Sequence, residues 1–424
     1  MEQTKGKQAK TNQPSKDDGG FDVARIRQDF PMLHQKHNGK PFIYLDSAGS
    51  CQKPKEVIER LAAFYSTEYG RPEEAHTTRK TTTEAVAETR QKVADLLHAR
   101  APEEIIFVQG ATEAINVVAL AFERAFLSEG DEVLITLMEH HANIVPWQLA
   151  CQRTGAVLKV VPITETGELD MEALESMISE RTRIISLVHS SHVLGTINPI
   201  KKITSLAHRK GIPVFVDGAQ TAPHMPVDVQ ELDCDFYGFS AHKMGGPTGV
   251  GVLYGKAAWL NKMPPYQGGA IMAETVTFEN AAYAPLPLKF EAGTTAYADI
   301  IAFGTLLDYL ERVGHKAIEA YEQHLLYYAG EKLRRIAGLH ILGAAPEREP
   351  VLTFTLEGAD VSALEIYLND KYGIAVRVGE FSAQPLMQYL GLEKAVRVSF
   401  ALCNTEEEID TLVEAIQTYQ KEAR

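Results

Sequence analysis

Short apolar runs with the length of β-strands alternate with longer helix-like runs over much of the sequence. The runs are "EIIFV" (104–108), "ATEAINVVALAFERAF" (111–126), "EVLIT" (132–136), "AVLKVVPI" (156–163), "RIISLVH" (183–189) and "PVFVD" (213–217). This alternation predicts β-α units on a mainly parallel sheet. The predicted strands are almost continuously apolar, as expected when helices cover both faces of a sheet. We therefore predict an α/β fold.

A stretch rich in Gly and Pro, residues 263–297, interrupts this alternation and has little periodicity. We interpret it as an ordered loop region that precedes a change of domain. Beyond it the predicted elements are helices over 299–337, a strand at 351–356, a helix near 361–370, strands at 374–378 and 395–400, and a final helix from about 405.

These patterns predict how the chain is divided into domains. We expect residues 43–296 to form a large domain and residues 297–424 to form a smaller α+β domain. The segment 21–42 is expected to join the small domain. Residues 1–20 are polar and are expected to form a disordered tail.

The charge balance and the cysteine content limit the possible partners. The net charge is −14 at pH 7 and the only basic run lies at the start of the chain, which argues against nucleic-acid binding. The four cysteines form no C-x-x-C pair, which argues against a disulfide framework and against a metal site. No apolar run has the length of a membrane span, and a signal-peptide pattern is absent. We expect a cytoplasmic protein with small-molecule or protein partners.

An aspartate and a lysine occupy positions where an open α/β sheet binds ligands. Asp217 ends the apolar strand "PVFVD", and Lys243 follows a second strand in "DFYGFSAHKMGGPTGVG". A lysine in this position can form a Schiff base with an aldehyde cofactor, and a buried aspartate can keep the pyridinium nitrogen of that cofactor protonated. Taken alone, Lys243 could be a surface charge and Asp217 could cap a turn. Together they indicate pyridoxal 5'-phosphate.

Two further motifs are compatible with this cofactor. In "FVQGATEAINVV" a strand ends at Gly110, and Ala111 and Thr112 open a helix whose free N–H groups suit a phosphate. The alternative is an ordinary helix N-cap. In "LMEHHANIVPW" we expect His140 to stack on a planar ring, although a buried structural histidine is the alternative. A metal is disfavoured there because no carboxylate or cysteine lies at ligand spacing.

Two arginines lie within short apolar strands of the predicted small domain. Arg377 is in "VRVG" and Arg397 is in "VRVSF". An arginine among β-branched residues needs a partner, and its planar fork suits a substrate carboxylate. A structural ion pair is the usual alternative. We favour substrate binding for Arg397 and leave both possibilities open for Arg377.

From about residue 21 to 420 the chain resembles the SUF-type cysteine desulfurases. These belong to the class V aminotransferase group, with the fold-type I architecture of pyridoxal-phosphate enzymes, in which a large domain with a mainly parallel sheet is joined to a smaller α+β domain. The matching stretches are "YLDSAGSCQKP", "GATEAIN", "EHHANIVPWQ", "VDGAQ", "DCDFYGFSAHKMGGPTGVG", "KFEAGT", "GIAVRVG" and "VRVSF".

The resemblance implies roles for individual residues. Lys243 would attach the cofactor covalently and act in catalysis with His140, which would stack on the ring. Thr294 of "EAGT" would reach the phosphate of the neighbouring subunit, which implies a homodimer with shared active sites. Arg397 would bind the α-carboxylate of an amino-acid substrate. The complete cofactor set implied is Ala111, Thr112, His140, Asp217, Gln220, Ser240, His242, Lys243 and Thr294.

The chain departs from the family at the position of the reactive cysteine. Family members usually have Arg-x-Gly-His-His-Cys where this chain has "RVGEFS", so Glu380, Phe381 and Ser382 replace His, His and Cys. A serine hydroxyl has a far higher pKa than a thiol and cannot accept sulfur from a substrate thiolate. We therefore expect ordinary desulfurase turnover to fail.

Other pocket positions differ as well. His192 in "HSSHVLGT" replaces a usual asparagine, and acidic Glu73 and Glu74 precede His76. Cys51 is a possible relocated nucleophile, or simply a small buried residue. The residues expected to contact the substrate are Arg397, Arg377, His192, Glu380, Ser382 and His76.

Three functions remain open at this point. The first is a desulfurase-like C–S lyase that works without an enzyme thiol. The second is an aminotransferase or epimerase that acts on a specialised amino acid, and acidic Glu73, Glu74 and Glu380 would favour a cationic or hydrogen-bond-donating side chain. The third is a catalytically silent desulfurase paralogue that binds a sulfur-transfer partner. Retention of Lys243 and Asp217 argues against the third function, because a scaffold needs neither.

Overall fold

The computed structural model of the protein describes residues 21–71 and 77–422. The predicted tail 1–20 lies outside the described residues, and so do Glu73, Glu74 and His76.

A seven-stranded sheet forms the centre of the larger part of the molecule. In spatial order its strands are Ile105–Val108, Gly251–Gly255, Phe236–Ser240, Val214–Asp217, Thr182–Val188, Glu132–Thr136 and Val157–Val161. Only Gly251–Gly255 runs antiparallel to its neighbours. The prediction of an α/β fold with a mainly parallel sheet is confirmed.

Helices cover both faces of this sheet. Ala111–Phe126 and Val145–Thr154 pack on one face, and Thr77–Leu96, Ile200–His208 and Tyr297–Val313 contribute to the core on the other. The α-helices are Val23–Arg27, Lys55–Ala63, Thr77–Leu96, Ala111–Phe126, Val145–Thr154, Met171–Met177, Ile200–His208, Val229–Leu232, Ala241–Met244, Ala257–Lys262, Tyr297–Val313, His315–Leu333, Val361–Tyr372, Gln384–Tyr389 and Glu406–Glu422.

A second, antiparallel sheet is formed by the C-terminal part of the chain. Its strands, in spatial order, are Leu339–Ile341, Val351–Leu356, Ala395–Ser399 and Arg377–Gly379. Strand Ile43–Tyr44 pairs in parallel with Ile374–Ala375, so the loop that follows Tyr44 lies beside this second sheet. The predicted single strand 374–378 is therefore two short strands with different partners.

Two short hairpins complete the fold. One pairs Lys36–His37 with Lys40–Pro41, and the other pairs Ala273–Val276 with Ala281–Tyr283. The second hairpin lies within the Gly- and Pro-rich stretch, where the sequence patterns indicated only an ordered loop region.

The carboxyl ends of the parallel strands face the second sheet, and this arrangement creates the cleft described below. Gly218 follows Asp217 and donates its N–H to the carbonyl of Gly238 on the neighbouring strand. A Cβ atom at residue 218 would lie 2.0 Å from Cζ of the buried Tyr237 ring. Only glycine fits this crossing, which places Asp217 at the floor of the cleft.

Candidate active site

A cleft of about 450 Å³ lies between the two sheets. Of the residues predicted to form the site, Thr294 does not line it and His76 lies outside the described residues. The predicted residues that line the cleft are Ala111, Thr112, His140, His192, Asp217, Gln220, Ser240, His242, Lys243, Arg377, Glu380, Ser382 and Arg397.

Lys243 lies on the short helix Ala241–Met244, directly after strand Phe236–Ser240. Within the described part of the chain its amine has no hydrogen-bond or ion-pair partner. Burial lowers the pKa of Lys243 to about 8, the negative charge of Asp217 opposes this shift, and the positive charge of Arg397 adds to it. A larger fraction of this amine is therefore neutral near pH 7 than for an exposed lysine.

We expect this low pKa to be visible in the reactivity of the cofactor-free protein. A protonated ammonium is not nucleophilic, so covalent labelling at Lys243 by a small acylating reagent should rise with pH around a midpoint near 8. Peptide mass spectrometry of pulse-labelled protein would measure the midpoint, with Lys256, which is paired with Asp233 outside the cleft, as the internal control. A Lys243 midpoint at or above that of Lys256 would contradict the assignment.

Asp217 and Gln220 are buried residues of the cleft whose polar atoms are only partly hydrogen-bonded within the protein. Asp217 is 4% exposed, and its Oδ1 accepts only the N–H of Ala219, at 3.0 Å. Burial raises the pKa of Asp217, whereas Lys243 opposes the shift. In the described ranges no cation lies within ion-pair distance of this carboxylate. Gln220 donates Nε2 to the carbonyl of Ala48, but its buried Oε1 accepts no hydrogen bond.

The helix Ala111–Phe126 begins at the cleft. The N–H of Ala111 donates to Ser240 Oγ at 2.8 Å, and the side chain of Thr112 is exposed in the first turn. N–H groups in a first turn have no intrahelical acceptor and favour an anion. His242 adds a ring whose Nδ1 lies 3.2 Å from Ser50 Oγ.

These groups fit pyridoxal 5'-phosphate. The helix N-terminus with Ser240 and Thr112 suits its phosphate, the carboxylate of Asp217, whose one described hydrogen bond is to the Ala219 N–H, suits a pyridinium N–H, and the unpartnered Gln220 Oε1 suits a hydroxyl donor. Lys243 supplies the amine that binds its aldehyde. Two of these groups, Gln220 Oε1 and the Lys243 amine, have no hydrogen-bond partner among the described residues and are therefore available to the cofactor.

His140 is held in one orientation by the chain that follows it. Its Nδ1 accepts the N–H of Ala142 at 3.0 Å, which leaves the proton of the neutral ring on Nε2. Burial, with a contribution from Lys243, lowers the pKa of His140 to about 4, so the ring is neutral at physiological pH. The ring of His192 stands edge-on to it at 5.0 Å. Stacking of His140 on the cofactor ring stays a prediction.

Asp46 is a member of the cleft's charge network that the sequence patterns did not identify. Its carboxylate accepts Nη2 of Arg377 at 2.7 Å and Nη2 of Arg397 at 3.1 Å. Arg397 is 4% exposed, and it also donates Nη1 to the carbonyl of His192. The available signal was an acidic residue two positions after strand Ile43–Tyr44, in "YLDSAGS". The two arginines therefore share one buried anion.

No cysteine side chain lines the cleft within the described residues. All four cysteines, including Cys51, are free and buried. Burial raises the pKa of the Cys51 thiol to about 12, so this thiol is protonated at neutral pH. Ser382 does line the cleft.

Three further observations concern regions outside the cleft. Thr294 lines a separate cavity with Glu113, Tyr266 and Gln267. Across 21–71 and 77–422, no three His, Cys, Asp or Glu side chains are grouped closely enough to hold a metal ion. None of the helices in these ranges combines the length and the apolar character needed to cross a membrane.

Comparison with known proteins places this architecture in a family. The family model described as aminotransferase class-V matches residues 43–412. A cysteine desulfurase of Synechococcus elongatus is 46% identical over 402 residues, which cover 95% of this chain and 64% of that protein. A cysteine desulfurase of Yersinia pestis is 45% identical over 403 residues, which cover 95% of this chain and 99% of that protein.

A solved structure agrees with these sequence matches. The crystal structure of a cysteine desulfurase from Escherichia coli superposes with a TM-score of 0.88 at 36% identity, covering 95% of this chain and 99% of that chain. The chain spans less than two thirds of the Synechococcus protein, yet almost all of the Yersinia and Escherichia proteins. The chain belongs to the class V aminotransferase family, with the fold of the pyridoxal-phosphate-dependent cysteine desulfurases.

Proposed function

We propose that this protein is a pyridoxal-phosphate-dependent C–S lyase that acts on a sulfur-containing amino acid without an enzyme thiol. One observation carries the proposal: Lys243, Asp217 and Arg397 converge on a cleft in which residue 382 is serine and all four cysteines are buried elsewhere. The matches to cysteine desulfurases support a sulfur amino acid as the substrate.

Each polar residue of the cleft has a separate role in such a reaction. When bound, pyridoxal phosphate supplies an electron sink for the charge that develops at Cα. Arg397 binds the α-carboxylate of the amino acid, and Lys243, whose pKa is lowered to about 8, removes the Cα proton. Asp217 supplies a buried carboxylate that would hold the pyridinium nitrogen of the cofactor. His140 remains neutral, because its pKa is lowered to about 4.

The overall reaction needs no nucleophile from the protein. The Cα–H and Cβ–S bonds break, the sulfur leaves as a thiolate that takes up a proton, and water releases the remaining carbon skeleton as pyruvate and ammonia. The sulfur product, a persulfide when the substrate is cystine and a thiol or sulfide otherwise, is therefore released into solution rather than formed on the enzyme. Neither an oxidant nor a reductant is required, since elimination and hydrolysis leave the sum of oxidation states unchanged.

The cleft also contains a carboxylate, that of Glu380, which can select among substrates by their side chains. Glu380 lines the cleft, and among the described residues its carboxylate has no ion-pair partner. A carboxylate beside the substrate favours a cation or a hydrogen-bond donor on the leaving group. We therefore propose a substrate whose sulfur substituent carries such a group.

The proposal includes a homodimer in a cytoplasmic setting. Thr294 lies in a cavity apart from the cleft of its own chain, which supports its predicted role at the phosphate of a neighbouring subunit. The four free cysteines support a reducing compartment.

The holoenzyme should convert cysteine or cystine to pyruvate and ammonia without forming a protein-bound persulfide. Ser382 cannot hold sulfur, whereas Ser382→Cys places a thiol in the cleft and should divert part of the turnover to alanine and a persulfide on residue 382. Product chromatography and intact-mass spectrometry after alkylation would measure both routes.

Ser382→Ala is the matched control, because it removes the hydroxyl without adding a thiol. It should retain pyruvate formation and carry no persulfide. Alanine and a persulfide on the unmodified protein would contradict turnover without an enzyme thiol. Conversion of the cofactor to pyridoxamine phosphate by another amino acid would instead identify an aminotransferase.

A further inference from the structure

The loop that contains Ser382 adopts an unfavourable backbone conformation. Phe381 and Ser382 are consecutive non-glycine residues in the left-handed region, with φ values of 58° and 56°. Such residues are rare because Cβ crowds the carbonyl oxygen, and two in succession require external contacts to hold them. The contacts that hold this turn therefore decide how Glu380 and Ser382 are presented to the cleft.

Contacts from three directions hold the turn. The carbonyl of Phe381 accepts Nε2 of His192 at 2.9 Å, and the carbonyl of Ser382 accepts the N–H of His141 at 2.8 Å. The Phe381 ring is 8% exposed and lies under the Arg397 guanidinium, with 5.2 Å from Cζ to the ring centroid. His192 therefore contacts the same residue that covers the predicted carboxylate-binding arginine.

The protonation of His192 follows from this geometry. A carbonyl oxygen can only accept, so Nε2 must carry the proton. Burial lowers the pKa of His192, and the neighbouring His140 and Arg397 lower it further, so the ring is neutral. His192 is 3% exposed, and the loss of its donor would leave a buried carbonyl unsatisfied.

We propose that His192 is a positioning residue: by donating its Nε2–H to the Phe381 carbonyl, it holds Phe381 and Ser382 in their left-handed conformation and keeps Phe381 against Arg397. The loop is then ordered before an amino acid arrives, so binding does not have to supply the cost of ordering it. The Phe381 ring also displaces water from one face of Arg397, which strengthens its attraction for a carboxylate. His192 thus acts on the substrate through the loop.

A matched pair of substitutions tests the donor. The side-chain amide of His192→Gln reaches about as far as Nε2 of histidine, whereas that of His192→Asn reaches only as far as Nδ1. In holoenzyme without amino acid, the amides of Ala383 and Gln384 should exchange hydrogen about tenfold faster in His192→Asn than in the unmodified protein. His192→Gln should stay within about threefold of the unmodified protein.

Binding of an unreactive amino acid gives a second readout. 2-Aminoisobutyrate has no Cα proton. Its dissociation constant should be about tenfold larger in His192→Asn and close to unchanged in His192→Gln. Titration followed by the absorbance of the bound cofactor would measure it. His189→Met is the control for general destabilisation, because His189 is also buried but does not line the cleft. This control should alter neither readout.

Unchanged exchange and binding in His192→Asn would overturn the proposal. Equally fast exchange and equally weak binding in His192→Asn and His192→Gln would also overturn it. The loop would then depend on the imidazole ring itself and not on the hydrogen bond that its Nε2–H donates. The proposal rests on the proposed function only in treating the cleft as an amino-acid site. Hydrogen exchange and 2-aminoisobutyrate binding involve no C–S cleavage. The role of His192 can therefore be tested whether or not product analysis supports the lyase assignment.

Discussion

Replacing Lys243 by alanine should reduce turnover of any amino acid by about a thousandfold or more, which is the range for loss of a general base together with a covalent anchor. The structural reason is that Lys243 is the lysine of the cleft, and no other lysine lines it within the described residues. Its pKa is lowered to about 8, which suits both the attachment of an aldehyde and the removal of a Cα proton. The alanine variant should still fold, because the Lys243 amine has no described protein partner.

Borohydride reduction followed by intact-mass spectrometry would measure the covalent attachment directly. The unmodified holoenzyme should gain one cofactor mass per chain, and Lys243→Ala should gain none. Lys256→Ala is a matched control, since Lys256 pairs with Asp233 outside the cleft and its loss should leave the adduct intact. A full adduct on Lys243→Ala would show that a different lysine anchors the cofactor and would remove the basis of the proposed function.

Asp217→Asn should lower kcat by about a hundredfold or more, because it removes the buried negative charge that would keep the pyridinium nitrogen of the cofactor protonated. The asparagine keeps the shape of the side chain and can still accept the Ala219 N–H, so the loop after the strand should persist. The substitution should also affect Lys243. The charge of Asp217 raises the pKa of Lys243, so removing it should move the Lys243 pKa below about 8.

Two measurements separate these effects. Steady-state kinetics of the holoenzyme would give kcat, and the pH dependence of Lys243 labelling in the cofactor-free protein would give the direction of the pKa change. Asp235→Asn is a matched control, because Asp235 is equally buried at a strand of the same sheet but binds His208 and the N–H of Val214 away from the cleft. An unchanged kcat in Asp217→Asn would contradict its role at the cofactor.

The position of Asp217 and Lys243 could be predicted from the sequence because both depend on local patterns. A continuous apolar run that stops at a carboxylate predicts a buried strand and the edge at which it ends. Lys243 follows a second such run. Since parallel strands end at a common edge, the two side chains were expected close together, and the cleft contains both.

The contacts between distant segments could not be predicted in the same way. Asp46 bridges Arg377 and Arg397 only because strand Ile43–Tyr44 pairs with Ile374–Ala375, more than 300 residues later in the chain. Each of these two strands has only two residues, which is too short for an apolar periodicity that would predict its pairing partner. For the same reason the split of the predicted strand 374–378 was not visible.

The sequence by itself determined the fold class, the sheet edge at which the chemistry is placed, and the absence of a cysteine at residue 382. These properties follow from apolar periodicity and residue identity, which are local. Only the tertiary structure decided that His192 is bonded to the Phe381 carbonyl, that Arg397 lies over the Phe381 ring, and that Cys51 is buried apart from the cleft. Those outcomes depend on which backbone segments approach one another and on their φ angles, and side-chain patterns along one chain do not carry that information.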